Sequence, residues 1–307
     1  MNPTITTPAL TYVVVTPAHN EADSLRGVID SMAAQVVPPL KWVVVDDAST
    51  DSTPDLVREA KGRIPWLELL TLKREGGRNF GGKANSFNSG VRALEGVPHD
   101  CIANLDADVT IAPDHFAYLL SCLEADPTLG VVGTPFREPN FRGYDYRFSN
   151  PAHVSGQCQL FRKACLREIG GYTPIEHGGV DWVASTTARM LGWGTKTCPD
   201  RVLMHHRRMG TANPQWGNLQ LRQGKKDYML GNSLSWELTR CLYQARYRPF
   251  VLGGLLMLLG YLQCALPGKP KPISDRLVRF VRDEQAARLR KLPKTLLSKR
   301  EAGGFDN

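Results

Sequence analysis

Two aspartates, Asp106 and Asp108, stand one residue apart directly after the apolar segment Cys-Ile-Ala-Asn-Leu at 101–105. In an extended chain, side chains at positions i and i+2 point to the same side. Two carboxylates facing one spot suit Mg2+ or Mn2+, which keeps coordination positions open for phosphate oxygens. The pair therefore predicts a divalent-metal site that meets a diphosphate, although Asp-x-Asp also occurs in turns and helix caps.

A second acidic pair, Asp46 and Asp47, ends the apolar run Val-Val-Val at 43–45. An acid at a strand end can accept hydrogen bonds from a ribose hydroxyl or a pyrimidine N–H, as acids do in dinucleotide-binding folds. The alternative is a helix-capping role, which we expect for Asp51 or Ser52. We predict that one of Asp46 and Asp47 contacts a nucleotide.

A glycine-rich segment, Gly-Arg-Asn-Phe-Gly-Gly-Lys-Ala, occupies positions 77–84. Its spacing is that of a P-loop, but Ala84 replaces the hydroxyl residue that would bind Mg2+. The segment instead predicts a loop that opens a helix, with Lys83 and the helix N-terminus near nucleotide phosphates. A plain loop with a solvated lysine is the alternative.

Asp181 lies between a glycine pair, Gly178 and Gly179, and Trp182. A carboxylate at this point suits the removal of a proton from a sugar hydroxyl, provided that it lies within hydrogen-bond reach. Trp182 is suited to stacking on a sugar ring. The alternatives are an ordinary helix cap for the aspartate and a core position for the tryptophan.

The segment His-His-Arg-Arg at 205–208 ends another apolar stretch. Adjacent side chains on an extended chain point to opposite sides, so one histidine at most is expected to reach the metal, His206 or else His205. Arg207 and Arg208 are candidates for neutralising the charge of a diphosphate leaving group. A basic surface turn is the alternative.

The elements that must position these residues alternate short β-branched runs with helical stretches, which predicts an open, mostly parallel α/β sheet flanked by helices. Ligands bind such sheets outside the carboxyl ends of the strands, so the acids should converge on one rim. The predicted strands are 12–15, 41–45, 67–72, 100–105 and 130–132. The predicted helices are 21–34, 53–61, 83–94 and 113–124, with further helical stretches near 158–169 and 182–191.

Length and charge restrict the class of protein. A chain of 307 residues with 42% hydrophobic content can bury a large core, which excludes a disordered protein. The net charge of +8 equals the charge of 269–300 alone, where there are eleven Lys and Arg and three acids, so the rest of the chain has a net charge of zero.

The cysteines and the N-terminus bear on the cellular location. Seven cysteines without Cys-x-x-Cys spacing argue against a disulfide framework or a zinc ribbon. The first ten residues lack the features of a secretory signal, so we expect a cytoplasmic location.

The C-terminal part combines the uncharged segment 250–266 with the basic tail. The segment is at the lower length limit for spanning a bilayer and contains three glycines and Gln263. Basic residues on both sides favour a segment that lies on the cytoplasmic face of a membrane; a buried hairpin and a true span are the alternatives. The tail itself is a solvated helix face or a membrane-binding helix. No aromatic-rich nucleic-acid motif accompanies it, so we expect no nucleic-acid partner.

Together these segments resemble the family 2 glycosyltransferases, which have the GT-A fold and invert the anomeric carbon. The resemblance covers about 11–208 and rests on several motifs in matching order. These are Val-Val-Thr-Pro-Ala-His-Asn-Glu at 14–21, Val-Asp-Asp-Ala-Ser-Thr-Asp at 45–51, Gly-Lys-Ala-Asn-Ser-Phe-Asn-Ser-Gly at 82–90, Asp-Ala-Asp at 106–108, Val-Ser-Gly-Gln at 154–157 with Phe-Arg-Lys at 161–163, and Gly-Gly-Tyr at 170–172.

The resemblance implies a nucleotide-sugar donor, Mg2+ or Mn2+, and one acidic base. The family's Glu-Asp base pair reads Val180-Asp181 here, so only Asp181 takes that role. The implied donor site consists of Pro17, Ala18, Asn20, Glu21, Asp46, Asp47, Lys83 and Asp106. Gly156 and Trp182 are implied on the acceptor side, and Asp106, Asp108 and one histidine at the metal.

The expected organisation is a GT-A catalytic domain over 1–210, whose nucleotide-binding half ends near 133 and whose acceptor half spans 134–210, followed by a helical membrane-associating extension over 211–307. The expected function is non-processive sugar transfer to a glycan or lipid-linked acceptor in cell-envelope or exopolysaccharide synthesis, because the Gln-x-x-Arg-Trp motif of processive members is absent. The alternatives are an inactive carbohydrate-binding or scaffold subunit and a nucleotidyltransferase. The oligomeric state stays open.

Overall fold

A computed structural model describes residues 8–73, 82–138, 152–175, 178–207, 216–245, 247 and 250–297. The chain divides into two compact units. The α/β unit contains residues 1–174 and 180–208, and the helical unit contains residues 175–179 and 209–307.

The α/β unit is built on a sheet of seven strands within the described residues, in the order β3-β2-β1-β4-β8-β6-β9. A smaller sheet joins β5, β10 and β7. The strands are β1 (Tyr12–Ala18), β2 (Lys41–Asp47), β3 (Leu67–Leu72), β4 (Cys101–Leu105), β5 (Val109–Thr110), β6 (Leu129–Gly133), β7 (Phe136–Arg137), β8 (Cys158–Arg162), β9 (Gly194–Thr197) and β10 (Leu203–His205). The helices are α1 (Ala22–Ala33), α2 (Thr53–Lys61), α3 (Gly82–Ala93), α4 (His115–Ala125), α5 (Lys163–Ile169) and α6 (Val180–Met190).

Both faces of the central part of the large sheet are buried, which explains why strands such as β1, β2 and β6 are rich in apolar residues. Alternate residues of β1 separate into two cores: Val14 packs with residues of α1, α2 and α4, whereas Val13 and Val15 pack with residues of α3, α5 and α6. Helix α3 lies close to the sheet because Gly90 has no Cβ; a Cβ built there would stand 2.4 Å from a methyl carbon of Val15.

The predicted mostly parallel sheet flanked by helices is confirmed, and each of the five predicted strands is present within a few residues of its expected ends. The helical prediction over 158–169 was wrong in its first half, because Cys158–Arg162 forms β8. This strand is antiparallel to both of its neighbours, β4 and β6. Its first four residues are buried and Arg162 is half-buried. A segment this short has no period that separates strand from helix.

The helical unit contains α7 (Trp216–Met229), α8 (Leu234–Gln244), α9 (Phe250–Ala265) and α10 (Asp275–Leu297). Helix α9 corresponds to the predicted apolar segment. Its glycines face its neighbours: Gly260 lies against the carbonyl of Leu221 on α7, and Gly254 against the carbonyl of Cys241 on α8. No helix in the described part of the chain is long and apolar enough to cross a bilayer.

Helix α10 is the basic amphipathic helix expected in the tail. Its apolar residues Leu277, Val278 and Val281 are buried inside the helical unit, and Gln285 donates a hydrogen bond to Asn232 at 2.7 Å. The apolar side of α10 therefore packs inside the helical unit and does not face outward, where it could contact a membrane. The tail beyond Leu297 lies outside the described residues.

Candidate functional site

The predicted site residues gather at one edge of the large sheet. Strand β1 runs parallel to both β2 and β4, so the carboxyl ends of these three strands meet at the same rim. Pro17 and Ala18 form the last two residues of β1, where they pair with Val45 and Asp46 of β2. This is the side of an open α/β sheet at which ligands bind.

The turns after β1 and β2 hold each other through hydrogen bonds. Asn20 has a left-handed backbone with φ of 55°, and its side-chain oxygen accepts the backbone N–H of Thr50 at 2.8 Å. The buried Asp46 accepts the N–H of Ser49 at 3.1 Å, whereas Asp47 is half-buried at the rim. Of the two acids, Asp46 is engaged in shaping the turn and Asp47 is the more accessible to a ligand.

Asp51 shows how the predicted cap is realised. Ser52 precedes α2, but its side chain makes no capping hydrogen bond. The Asp51 carboxylate instead accepts the N–H of Thr53 at 3.0 Å and that of Ala22 at 3.1 Å, which links the starts of α2 and α1. These hydrogen bonds hold the pKa of Asp51 below its usual value, although its partial desolvation acts in the opposite direction.

Lys83 and Asp106 form an ion pair at the centre of the rim. The Lys83 ammonium lies 2.6 Å from Oδ1 of Asp106 and 3.2 Å from the carbonyl oxygen of Gly156. Asn104, buried within β4, donates to the same Asp106 carboxylate at 3.1 Å and to the same Gly156 carbonyl at 2.8 Å. The start of α3, the end of β4 and the segment before β8 are thereby joined in one polar network.

Burial and charge oppose each other in this pair. Burial lowers the pKa of Lys83, but the Asp106 carboxylate outweighs this effect and raises the pKa above its usual value. For Asp106, burial raises the pKa and dominates over the opposing charge of Lys83. An anionic ligand that binds beside Lys83 therefore meets a fully charged ammonium group.

Asp108 and His205 are adjacent, and Glu138 orients the histidine. The Nδ1 atom of His205 lies 2.8 Å from Oε1 of Glu138, and its Nε2 atom lies 3.4 Å from Oδ2 of Asp108. Burial raises the pKa of Asp108, but the hydrogen bond and charge of His205 outweigh it and the pKa is lowered. The ring of His206 contacts a different residue, because its Nε2 atom lies 2.8 Å from the hydroxyl of Thr110. Of the two histidines left open by the sequence, His205 is the one beside the acid.

Arg207 closes the other side of the rim. Its guanidinium group donates two hydrogen bonds to Glu21, at 3.1 Å and 2.5 Å, and its Nε atom lies 3.8 Å from Asp108. The pKa of Glu21 is nevertheless raised, because burial outweighs the charge of Arg207. Arg208 lies outside the described residues, as does 74–81, which contains the first part of the glycine-rich loop.

Asp181 stands in the first turn of α6 and is tied to the same network through Gly156. The backbone N–H of Gly156 donates to Oδ2 of Asp181 at 3.1 Å, and Nε2 of His153 lies 3.7 Å from the same oxygen. A Cβ at position 156 would stand 2.8 Å from the Cβ of Asp181, so glycine permits this approach. Trp182, the next residue, is half-buried.

Comparison with known proteins decides the family. The model of the family described as Glycosyl transferase family 2 matches residues 13–180, which is more than half of the chain. The chain belongs to glycosyl transferase family 2. The resemblance seen in the sequence motifs is thereby confirmed, and the rim described above lies in the matched region, apart from Asp181, His205 and Arg207, which follow it.

Curated relatives of this family 2 chain include proteins of polysaccharide synthesis. The succinoglycan biosynthesis protein ExoO of Rhizobium meliloti is 36% identical over 38% of the chain and 30% of its own length. YdaM of Bacillus subtilis, named a probable glycosyltransferase, is 32% identical over 52% of the chain and 42% of its own length. The matches thus span less than half of these relatives.

Solved glycosyltransferase structures share the fold. The mannosyltransferase PcManGT from Pyrobaculum calidifontis, in complex with GDP-Man and Mn2+, aligns over 95% of the chain and 88% of its own with a TM-score of 0.57 and 21% identity. TarS of S. aureus, in complex with UDP-GlcNAc, aligns over 93% of the chain and 88% of its own with a TM-score of 0.59 and 16% identity. The α/β unit therefore has a GT-A-like fold.

The donor set at the rim fits a divalent cation. Asp108 offers a carboxylate, and the Glu138 contact leaves the Nε2 atom of His205 facing it, an arrangement in which an outer carboxylate orients a histidine ligand. Within the described ranges, no group of three or more His, Cys, Asp or Glu side chains is arranged so that it could hold a metal ion by itself. A cation held here would take its other ligands from phosphate oxygens and water, as Mg2+ commonly does.

Sequence reasoning missed three residues of this network: Asn104, Glu138 and His153. Asn104 had a visible signal, because an amide inside an apolar buried strand requires hydrogen-bond partners. Glu138 and His153 carried no such signal. Glu138 acts through its contact with His205, which lies 67 residues further along the chain. His153 acts through its contact with Asp181, which lies 28 residues further along.

Proposed function

We propose that this protein is an inverting, metal-dependent glycosyltransferase that moves one or a few sugars from a nucleotide-sugar donor to a hydroxyl group of an acceptor. One observation carries the proposal: Gly156 links the Lys83–Asp106 pair, through its carbonyl oxygen, to Asp181, through its N–H. The ammonium group proposed to bind the diphosphate and the carboxylate proposed as the base thus contact the same residue, which supports their acting on one bound pair of donor and acceptor.

The donor occupies the rim in this proposal. The nucleoside contacts the ends of β1 and β2, with Asp47 as its acidic partner and Pro17, Ala18, Asn20 and Asp46 shaping the wall. Lys83 and Arg207 face the diphosphate, because both are cations at the rim, Lys83 beside Asp106 and Arg207 within 3.8 Å of Asp108. Arg208 joins them as a proposed diphosphate contact from the sequence alone.

Asp181 is the proposed base. Its carboxylate takes the proton of the acceptor hydroxyl while that oxygen forms a bond to the anomeric carbon. The bond between this carbon and the diphosphate oxygen breaks at the same time, and its electron pair leaves with the nucleoside diphosphate. Attack opposite to the leaving group inverts the configuration. Trp182, next to the base, is the proposed stacking surface for the acceptor sugar.

Asp108 and His205 would hold Mg2+ or Mn2+, with Asp106 as a further candidate ligand. Such an ion supplies charge neutralisation to the departing diphosphate. The chain's own contribution is to keep the ligands in place: Glu138 fixes the ring of His205, and Asn104 fixes the carboxylate of Asp106.

The acceptor is proposed to be a glycan or a lipid-linked sugar presented at the cytoplasmic face of a membrane, in the synthesis of an exopolysaccharide or another envelope glycan. The names of the relatives support the general pathway: one acts in succinoglycan biosynthesis and another, RfbC of Myxococcus xanthus, in O-antigen biosynthesis. The uncharged apolar segment 250–266 of the helical unit supports the proposed location at a membrane.

The test combines donor binding with transfer. Thermal shift with a panel of UDP-, GDP- and dTDP-sugars and Mn2+ should show one donor class that raises the melting temperature, because a ligand that binds the folded state stabilises it. With that donor, Asp181→Asn should lower transfer by roughly 100-fold to 10,000-fold and leave donor stabilisation intact. The exposed Asp55→Asn is the matched control. NMR of the product should show an inverted anomeric centre.

Three outcomes would contradict the proposal. Full transfer by Asp181→Asn would remove the base assignment. Donor or glycan binding without any turnover would favour a carbohydrate-binding subunit. Release of pyrophosphate from a nucleoside triphosphate and a sugar phosphate would favour a nucleotidyltransferase.

A further inference from the structure

The helical unit exposes an apolar stripe on α8. Leu234, Leu238 and Leu242 recur every four residues and therefore lie along one side of the helix. All three are exposed, Leu242 to 74% of its full accessible area. Soluble helices place such leucines inward, so this stripe requires an explanation beyond the folding of the unit.

Helix α9 divides its apolar residues between two sides. The side with Gly253, Gly254 and Gly260 is buried, and two of these glycines lie directly against backbone carbonyls of the neighbouring helices. The other side carries Val251, Leu255 and Leu259, again four residues apart, and each is about half exposed or more. Packing has used the glycine side and left the branched aliphatic side in solvent.

These six residues define the α8–α9 apolar surface: Leu234, Leu238, Leu242, Val251, Leu255 and Leu259. The two helices that carry it pack against each other where Gly254 meets the backbone of Cys241.

The part of the sequence that carries most of this surface is basic, although its Arg240 is paired with the buried Asp227. Between Glu237 and Asp275 the sequence contains no acidic residue, and it contains five basic ones: Arg240, Arg246, Arg248, Lys269 and Lys271. Tyr243 of α8 and Tyr247, which follows this helix, have hydroxyl oxygens that lie 2.8 Å apart and rings that meet edge to face at 5.5 Å. Tyrosine and basic residues beside an apolar face are the composition of segments that lie at a membrane–water interface.

We propose that the α8–α9 apolar surface docks on a bilayer that contains anionic lipids, with its leucines at the boundary between headgroups and acyl chains. A second copy of the chain fits less well. A twofold interface places the same patch of both copies face to face, and here that would oppose two acid-free, basic segments. An anionic membrane supplies both an apolar layer and the opposite charge.

The residues that contact lipid in this proposal are not the ones that the sequence led us to expect. The apolar side of α10 is buried, and the glycine side of α9 is packed, so neither is available. Helix α8 contributes half of the surface, although it lies before the apolar segment 250–266. The docking does not depend on the transfer reaction, since the surface lies wholly in the helical unit.

Flotation with lipid vesicles tests the proposal on the full-length protein. Vesicles of phosphatidylcholine with about 30% phosphatidylglycerol should carry the wild type upward, and vesicles of phosphatidylcholine alone should carry at least tenfold less. The triple variant Leu238→Gln, Leu242→Gln, Leu255→Gln should bind anionic vesicles at least tenfold more weakly than the wild type. Its matched control is Val36→Gln, Leu40→Gln on the α/β unit, where both residues are also exposed; this variant should bind as the wild type does.

Donor stabilisation in lipid-free buffer should be equal in all three proteins, which separates this test from that of the transfer reaction and shows that the variants are folded. Retention of vesicle binding by the triple variant would overturn the proposal. The proposal would also be overturned if the wild type stayed with the buffer in the presence of anionic vesicles and formed a dimer, while the triple variant was a monomer. The surface would then belong to the contact with a second copy.

Discussion

The ammonium nitrogen of Lys83 lies 2.6 Å from one carboxylate oxygen of Asp106 and 2.8 Å from the other, although 23 residues separate the two in sequence. The lysine lies in the first turn of α3 and the aspartate follows β4, so the pair joins a helix start to a strand end at the ligand-binding rim. Both side chains belong to the proposed donor site. Binding of a diphosphate would thus exchange one carboxylate partner of the lysine for another anion.

Replacement of Lys83 should therefore affect the donor. In Lys83→Met we expect kcat/KM for the donor to fall by roughly 30-fold to 160-fold, because a charge-assisted hydrogen bond to phosphate is worth about 2 to 3 kcal/mol. Steady-state kinetics with varied donor would measure this. Lys61→Met, which removes an exposed ion pair with Glu68, is the control and should change kcat/KM less than twofold. Equal behaviour of the two variants would contradict a donor role for Lys83.

The two neighbouring histidines should differ in their effect on cation binding. His205→Ala should weaken Mn2+ binding by about 10-fold to 100-fold, because the ring faces Asp108 and is oriented by Glu138. His206→Ala should change it less than threefold, since its ring contacts Thr110. Calorimetric titration of Mn2+ in the presence of the nucleoside diphosphate of the preferred donor would measure both. A larger loss in His206→Ala would reverse the assignment.

A pair of buried carboxyl groups should make the stability of the helical unit depend on pH. Glu237 and Asp227 are both buried, and Arg240 donates to Asp227 at 2.7 Å. Burial raises the pKa of Glu237 to about 8 from 4.5, and the charge of Asp227 adds to this shift. The folded state then holds a proton that the unfolded state releases, so the free energy of unfolding should fall as the pH rises between about 4.5 and 8.

Glu237→Gln should remove most of this dependence, because glutamine imitates the protonated acid. We expect the wild type to lose stability on the order of a few kcal/mol from pH 5 to pH 8.5, and the variant to lose much less. Denaturant unfolding at the two pH values would measure it. The exposed Asp283→Asn on α10 is the control. Parallel losses in wild type and Glu237→Gln would show that other groups carry the pH dependence.

Close packing of α7 against α9 should depend on Gly224. A Cβ there would stand 1.8 Å from the carbonyl oxygen of Met257 and 2.7 Å from the backbone nitrogen of Tyr261, and backbone atoms cannot move aside as side chains do. We expect Gly224→Ala to lower the free energy of unfolding by roughly 1 to 3 kcal/mol or more. Gly96→Ala is the control, because a Cβ at that position meets nothing within 4 Å. Thermal unfolding would compare the two, and an unchanged melting temperature in Gly224→Ala would contradict the packing.

The sequence determined the order of strands and helices in the nucleotide-binding half and the gathering of its acids at one rim. Both follow from local information: β-branched runs mark buried strands, and parallel strands place their carboxyl ends together. The strand at Cys158–Arg162 was missed because a five-residue segment is too short to show a distinguishing period. The proton-accepting, nucleotide and metal roles of individual residues remain predictions from the same motifs.

Tertiary structure alone decided which chemistry-bearing side chains meet. His205 rather than His206 lies beside Asp108 because β10 pairs with β5 in a register that sets His205 opposite Val109, next to the acid. Gly156 reaches both Lys83 and Asp181 because β8 runs antiparallel to β4. The same is true of the exposed leucines: the side of α9 that faces solvent was settled when its glycines packed against α7 and α8. The sequence specifies which chemical groups are present, but strand register and close packing determine which of them meet when they lie far apart in the chain.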